Sequence, residues 1–327
     1  MAVDLRFVLT GAKRVFDSRP MYAQLVVTDD CNLACAYCDE YTARAPLPEL
    51  SELKRRVDRL DSLGVQVYDL LGGEPLLHPG LAELVRHAKS KRGGSNLVTI
   101  ITNGFLLDEP VVRRLNEAGL DFMQVSVDSI EPTAMSKKAL KTLLPRLQML
   151  AGAARFQVEV QTVLNEATRD SYHRFRELLA GLPFAFGFSI MHGRGGRIAI
   201  QGEDYLALLE KYGVFEGVNF YGQHLREMLR GDFSRPWRCL AGQKFLYVNG
   251  RGEAQWCGQQ RECRRRLEDI NLAWLRSNRR HKPCEPGCAL GCVRLISATL
   301  GEPLKTMGAS LSLALGLGRK SAGADRK

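Results

Sequence analysis

Three cysteines, Cys31, Cys35 and Cys38, sit in the run Cys-Asn-Leu-Ala-Cys-Ala-Tyr-Cys. Thiolates are soft metal ligands, and three of them on one loop leave a coordination position open, as a catalytic metal requires. A structural zinc site would be closed by a fourth protein ligand, and the nearest histidine, His78, is the candidate for that alternative. Six more cysteines, Cys239, Cys257, Cys263, Cys284, Cys288 and Cys292, crowd the last third of the chain. Nine cysteines, an odd number with no export signal ahead of them, argue against a disulfide scaffold and for metal ligation or redox chemistry.

Other chemistry-bearing residues recur at intervals. Gly72-Gly73-Glu74-Pro75 combines two glycines, which let a backbone approach a ligand closely, with a carboxylate able to receive an ammonium group; the same four residues would also serve as a tight turn. Thr102, Asn103, Ser126, Asp128, Asn165 and Arg194 follow at later intervals. The spacing comes from the elements that carry them. Six β-rich runs, 22–28, 65–71, 97–102, 122–127, 156–164 and 184–191, alternate with amphipathic helical patterns at 50–63, 80–91, 109–118, 138–151 and 168–179, with Asp108 placed as an N-cap. This alternation predicts an α/β fold with a parallel sheet. In a parallel barrel or partial barrel all six polar strand ends share one mouth.

The Cys-x3-Cys-x2-Cys loop with Tyr37 before its last cysteine, followed one βα unit later by Gly72-Gly73-Glu74-Pro75, resembles the radical S-adenosylmethionine (radical SAM) superfamily. The resemblance implies a partial (β/α)6 TIM-like barrel in which Cys31, Cys35 and Cys38 hold a [4Fe-4S] cluster whose fourth iron is chelated by SAM. By the same resemblance Gly72, Gly73, Glu74 and Pro75 bind the methionine amino group, and Tyr37 lies against the adenine. Thr102, Asn103 and Asp128 also contact SAM, Ser126 and Asn165 hold the ribose, and Arg194 meets the carboxylate. The implied chemistry is reductive cleavage of SAM to a 5'-deoxyadenosyl radical that abstracts hydrogen from a substrate, with an external one-electron donor of the flavodoxin or ferredoxin type.

Residues 239–300 form the second cysteine region. The run 245–248 followed by Asn249-Gly250-Arg251-Gly252 predicts a hairpin that brings Cys239 and Cys257 together. Cys284, Cys288 and Cys292 recur every four residues, as on one helix face, although Pro283 and Pro286 favour turns. A structural zinc module is one reading of this region. The other is that Cys239-x12-Gly252-x4-Cys257 resembles the opening of SPASM and twitch domains, which bind auxiliary iron-sulfur clusters. The later spacing departs from the full SPASM pattern, so the resemblance implies at least one auxiliary cluster, held by Cys239, Cys257 and two or more of Cys263, Cys284, Cys288 and Cys292.

The 327 residues, 45% hydrophobic and 25% charged, exclude a disordered, collagen-like or coiled-coil chain. No run is long and apolar enough for a membrane span, and a cytoplasmic protein is expected. Half of the +10 net charge lies within residues 261–282: a solvated basic face, an offset to a thiolate-bound cluster, or an attractor for an anionic substrate. A zinc-bearing nucleic-acid binding protein stacking bases on Trp256 and Trp274 is the alternative of another class, but it leaves the six polar strand ends and the open triad unexplained. The expected division is a barrel at 1–195, a helical connector at 196–238 with helices near 204–211 and 223–229, the cluster domain at 239–300 and a Gly/Ser/Ala-rich tail at 301–327. With only a short stretch ahead of the triad, the N-terminal peptide-recognition domain of many maturases is not expected. Peptide, small-molecule and lipid-precursor substrates all therefore stand as expectations.

Overall fold

The computed structural model describes residues 16–39, 41–212 and 220–301. Strands β1 (Tyr22–Thr28), β2 (Val67–Gly72), β3 (Leu97–Thr102), β4 (Phe122–Ser126), β5 (Gln157–Leu164) and β6 (Ala185–Ile190) lie side by side in chain order and are all parallel. This is the sheet expected of a partial (β/α)6 barrel. Strand β1 is apolar along most of its length and six of its seven residues are buried, as a parallel strand covered on both faces requires.

Helices α1 (Leu50–Leu63), α2 (Leu81–Lys89), α3 (Glu109–Ala118) and α4 (Leu140–Ala153) cover one face of the sheet. Their buried residues recur at helical spacing, as in Leu53, Val57 and Leu60 of α1 or Leu143, Leu147 and Leu150 of α4, and pack with Leu25, Leu70 and Ile100 of the strands. Asp108 caps α3, accepting from the Val111 amide at 2.7 Å. The helix expected over 168–179 is split into α5 (Glu166–Arg169) and α6 (Tyr172–Leu179). The cause is local: the Thr168 hydroxyl turns back onto the carbonyls of Val163 and Asn165.

The connector supplies α7 (Glu203–Lys211) and α8 (Phe220–Leu229), which enclose a second apolar cluster with Leu164 and Ile190 at the ends of β5 and β6. The cysteine-rich region is less separate than its composition suggests. Strand β7 (Phe245–Val248), buried throughout, docks parallel onto β1, with the Phe245 ring stacked on Tyr22 at 5.3 Å between centroids. The expected hairpin follows, β8 (Glu253–Gln255) antiparallel to β7, and β9 (Arg265–Arg266) closes the sheet. Arg56 and Arg59 of α1 donate to the carbonyls of Gly250, Leu267 and Ile270, tying this hairpin to the barrel's first helix. The apolar run of β7 needs cover on both faces, and the open edge of β1 provides its partner. Two short helices, α9 (Leu272–Ser277) and α10 (Gly291–Gly301), complete the described chain. Of the expected tail, Gly301 ends α10 and residues 302–327 lie outside the described residues.

His224 of α8 is buried against Trp237, and burial together with Arg294 and Arg235 pushes its imidazole down to about 3. The unfolded chain therefore takes up a proton near pH 6.5 that the fold resists. Stability should be complete above that value and fall progressively as pH drops towards 3. Thermal melts between pH 7 and 4 should show this decline, and His224→Leu should flatten it.

Candidate active site

Residues from all six barrel strands line one cavity of about 850 Å³, which requires the sheet to curve around it. Cys31, Cys35, Tyr37 and Cys38 occupy its mouth together with Gly72, Gly73, Thr102, Asn103 and Ser126. Cys257–Gln259 and the start of α10 form the facing wall. The strand ends thus meet at one place, with the cysteine-rich region closing over them.

The triad loop is held by the neighbouring strand. At the end of β2 the Gly73 amide donates to the Thr28 carbonyl at 2.9 Å and the Glu74 amide to the Asp30 carbonyl at 2.8 Å. A side chain at Gly72, where φ is +151°, would begin 2.1 Å from the Thr28 carbonyl oxygen; one at Gly73 would begin 2.1 Å from that of Asp30. The glycines therefore serve a backbone-to-backbone contact immediately before Cys31. The Asp30 carboxylate accepts from the Cys31 and Arg44 amides, and Ala36 donates to the Met135 carbonyl at 2.9 Å. Around the sulfurs, Asn103 Nδ2 lies 3.8 Å from Cys31 and Ser136 Oγ lies 3.6 Å from Cys35.

Glu74 is fully buried and does not line the cavity. One carboxylate oxygen accepts from the Thr102 hydroxyl and the Leu76 amide, the other from the Asn103 amide, all within 3.0 Å. Desolvation raises its carboxyl, opposed by those three donors. Through Asn103, which also donates to Asn32 at 2.7 Å, Glu74 positions the triad loop. Pro75 is buried at the first position of the following 3-10 turn. Tyr37 donates to Asp128 at 2.6 Å; burial first, then the Asp128 carboxylate, push its phenol far above the usual range. Lys138 pairs with Asp128 at 3.2 Å and lies over the Tyr37 ring.

Asn165 and Arg194 are not brought to the cavity. Asn165 is consumed as the cap of α5, accepting from Ala167, and Arg194 is exposed in a 3-10 turn. His78 has both ring nitrogens engaged, with the Gly80 amide and the Pro48 carbonyl, so it is not placed as a fourth ligand. Tyr68 is core, whereas His192 lines the cavity. Trp256 is buried with its indole N–H on Asn278, and Trp274 is half-buried against the core; neither is presented for base stacking.

The cavity also contains residues that the motifs did not indicate. Asp69 accepts from Tyr22, Gln24 and Thr99 at 2.6–3.0 Å, while Gln124, Glu159 and Gln161 project from β4 and β5. The available signal was a polar residue at every second position of strands otherwise apolar enough to be buried on both faces.

In the second cysteine region, Cys239 lies within electrostatic reach of Cys257, Cys284 and Cys288. Burial pushes the Cys239 thiol up to about 11 and that of Cys288 up to about 12. Cys239 and Cys257 pack into one buried cluster, across which the hairpin joins them. Lys282 is buried beside them, donating to the Cys239 carbonyl at 2.8 Å; burial raises the Cys239 and Cys284 thiols, and the Lys282 charge opposes that rise in both. The expectation of one helix face for Cys284, Cys288 and Cys292 fails: Cys284 precedes the 3-10 turn Glu285–Gly287, in which Pro286 sits, and only Cys292 lies in α10. Cys292 instead faces the main cavity, and Cys263 is half-buried at the edge of the cluster.

A family model described as the Radical SAM superfamily matches residues 25–163. PqqA peptide cyclase of Xanthomonas oryzae pv. oryzae is 34% identical over 263 residues, covering 73% of this chain and 68% of that protein. GTP 3',8-cyclase of Chlorobaculum tepidum is 41% identical over 112 residues, covering 34% of this chain and 33% of that protein, so the chain spans about a third of that relative's length. Streptococcus suis SuiB bound to S-adenosylmethionine shares the fold with a TM-score of 0.61 at 13% identity, over 86% of this chain and 68% of that one. For anSMEcpe with bound AdoMet and a peptide the TM-score is 0.59 at 16% identity, over 91% and 99%. The chain belongs to the radical SAM superfamily and is an enzyme of that class. Membership implies a [4Fe-4S] cluster and SAM, and the residues present fit them: three cysteines on one loop, none of them in a disulfide, face a cavity wide enough for a nucleoside.

Because Gly73 has no room for a side chain, Gly73→Ala should push the Asp30 backbone and the triad loop apart. It should cost about 1–3 kcal/mol in urea melts. It should also lower the iron and sulfide bound per chain after anaerobic reconstitution, measured against wild type.

Proposed function

We propose that the enzyme cleaves SAM reductively and uses the 5'-deoxyadenosyl radical to abstract hydrogen from a peptide or small-molecule substrate. One observation carries this: three cysteine thiols and five strand ends converge on one cavity at the side of the sheet where parallel barrels place their chemistry. Held by Cys31, Cys35 and Cys38, the cluster would supply SAM with an electron received from a flavodoxin- or ferredoxin-type donor. The chain's own residues then bind, orient and exclude water. The Gly72-Gly73 backbone, Thr102, Asn103 and Ser126 border the space for SAM, while Glu74 and Asp128 act behind them by fixing Asn103 and Tyr37.

The relative named for peptide cyclisation supports a peptide substrate. An anionic lipid or metabolite precursor is less well matched, because Lys138, the cation facing the cavity, is already paired with Asp128. In residues 239–300 we assign Cys239, Cys257, Cys284 and Cys288 as the ligands of one auxiliary iron-sulfur cluster. The burial of Cys239, Cys257 and Cys288 supports this, as does Lys282, whose charge offsets part of the thiolates' charge.

Anaerobically reconstituted wild type, given SAM and dithionite, should form 5'-deoxyadenosine detectable by mass spectrometry. The variant carrying Cys31→Ala, Cys35→Ala and Cys38→Ala should remain at background. Equal product from the triple variant, or zinc in place of iron at the triad, would contradict the assignment.

A further inference from the structure

The cavity's charged wall residues are matched with partners except at one place. Asp69 accepts three hydrogen bonds, Lys138 pairs with Asp128, and Asp39 pairs with Arg261. Glu159 has no hydrogen-bonding or ionic partner among the described residues. It lies on β5, whose burial alternates so that Glu159, Gln161 and Val163 face the cavity. Paired across the sheet with Gln124, it stands one inward layer below Gln161 and Ser126. Two residues of strand put it about 6.6 Å deeper than the strand ends where SAM is assigned.

The surroundings are cleared for that carboxylate. The neighbouring strand has glycine at 187, and a side chain there would begin 2.3 Å from Glu159 Oε1 and 2.1 Å from Gln161 Oε1. The two oxygens therefore converge on one point, close enough for a single donor to bridge them. Gln161 gives its amide N–H to Ser189 at 2.8 Å, which leaves its oxygen as an acceptor. Two acceptors, one of them charged, face the same space with no donor between them. Phe122, on the same face of β4 as Gln124, and Ile101, paired with Gln124 across the sheet, line the rest of this part of the cavity, while Phe186 and Phe188 flank Gly187 on the opposite face of β6, Phe186 against Tyr172 and Phe175. Apolar walls with a few convergent polar groups are the usual make-up of a small-ligand site.

We propose that Glu159 and Gln161 form a subsite for an ammonium group of the substrate, so that the substrate presents a protonated amine on an apolar or aromatic stem. This rests on the proposed reaction for its place in catalysis, and on the geometry alone for its ligand. An ammonium satisfies both oxygens and neutralises Glu159 in a partly desolvated site, where a charge-assisted hydrogen bond is strongest. An uncharged isostere would leave the carboxylate unmatched.

The test uses the full chain without SAM or reductant, so it reads the subsite separately from radical chemistry. Binding of 2-phenylethylammonium and of its uncharged isostere 2-phenylethanol is measured by NMR titration. Wild type should prefer the ammonium by about tenfold or more, the size of one charge-assisted contact. Glu159→Gln should lose that preference while binding the alcohol as wild type does, and should melt no lower than wild type, since it removes an unpaired charge. Gly187→Ala, which fills the convergence point, should lose the preference as well. Equal or absent binding of the two probes by wild type, or a preference that survives in Glu159→Gln, overturns the proposal. Failure of 5'-deoxyadenosine formation with the ammonium preference intact would instead count against the proposed reaction.

Discussion

The active site depends on the close contact between the ends of β1 and β2. Two backbone hydrogen bonds, Gly73 to Thr28 and Glu74 to Asp30, join the strands just where the chain leaves β1 for the cysteine loop. Neither survives a side chain at Gly72 or Gly73, because each would begin 2.1 Å from a carbonyl oxygen. The position of Cys31 is thus set by the sheet itself. The three acceptor roles of Glu74 extend the same constraint to Thr102 and Asn103 at the end of β3, and Asn103 reaches back to Asn32 and Cys31. Three adjacent strand ends are bound into one unit, which lets a loop of small and polar residues hold a defined shape.

Electrostatic pairing governs the rest of the cavity. One Asp128 carboxylate oxygen takes both the Tyr37 hydroxyl and Lys138, and Asp69 is satisfied by three donors on neighbouring strands. Paired polar groups rigidify a pocket, whereas an unpaired charge within it seeks a ligand. The same logic applies across the facing wall, where Lys282 is buried among thiols and backbone carbonyls rather than exposed in a basic face. Part of the concentrated positive charge of residues 261–282 is thereby internal. Arg261 and Arg264 form further ion pairs with Asp39 and Glu253.

Much of the architecture was legible in the sequence because it is local. Hydrophobic alternation located the six strands, and Asp108 marked a helix start. The grouping of Cys31, Cys35, Cys38, Gly72, Gly73, Thr102, Asn103 and Ser126 follows from their shared position at strand ends. Side-chain direction was less legible. Asn165 sits at a strand end but turns to cap α5, and Glu74 turns inward to bury its carboxylate among backbone donors. Non-local pairing was hidden too: nothing in Phe245–Val248 announces that its partner is β1, more than two hundred residues earlier. The four-residue spacing of the last cysteines suggested a helix that Pro286 prevents until residue 291. Glu159 escaped notice because it belongs to no motif; only its strand phase and the glycine across from it reveal it.

The central claim is that the Cys31, Cys35 and Cys38 thiols hold a cluster with one open iron, to which SAM binds directly. Electron-nuclear double resonance of the reduced, reconstituted protein with SAM labelled by 15N at the amino group and 17O at the carboxylate tests it most directly. Hyperfine coupling from both labels to the cluster, absent when Cys31, Cys35 and Cys38 are replaced by alanine, is the predicted result. A reduced triad cluster that shows no coupling to either label, with SAM demonstrably bound, would contradict it.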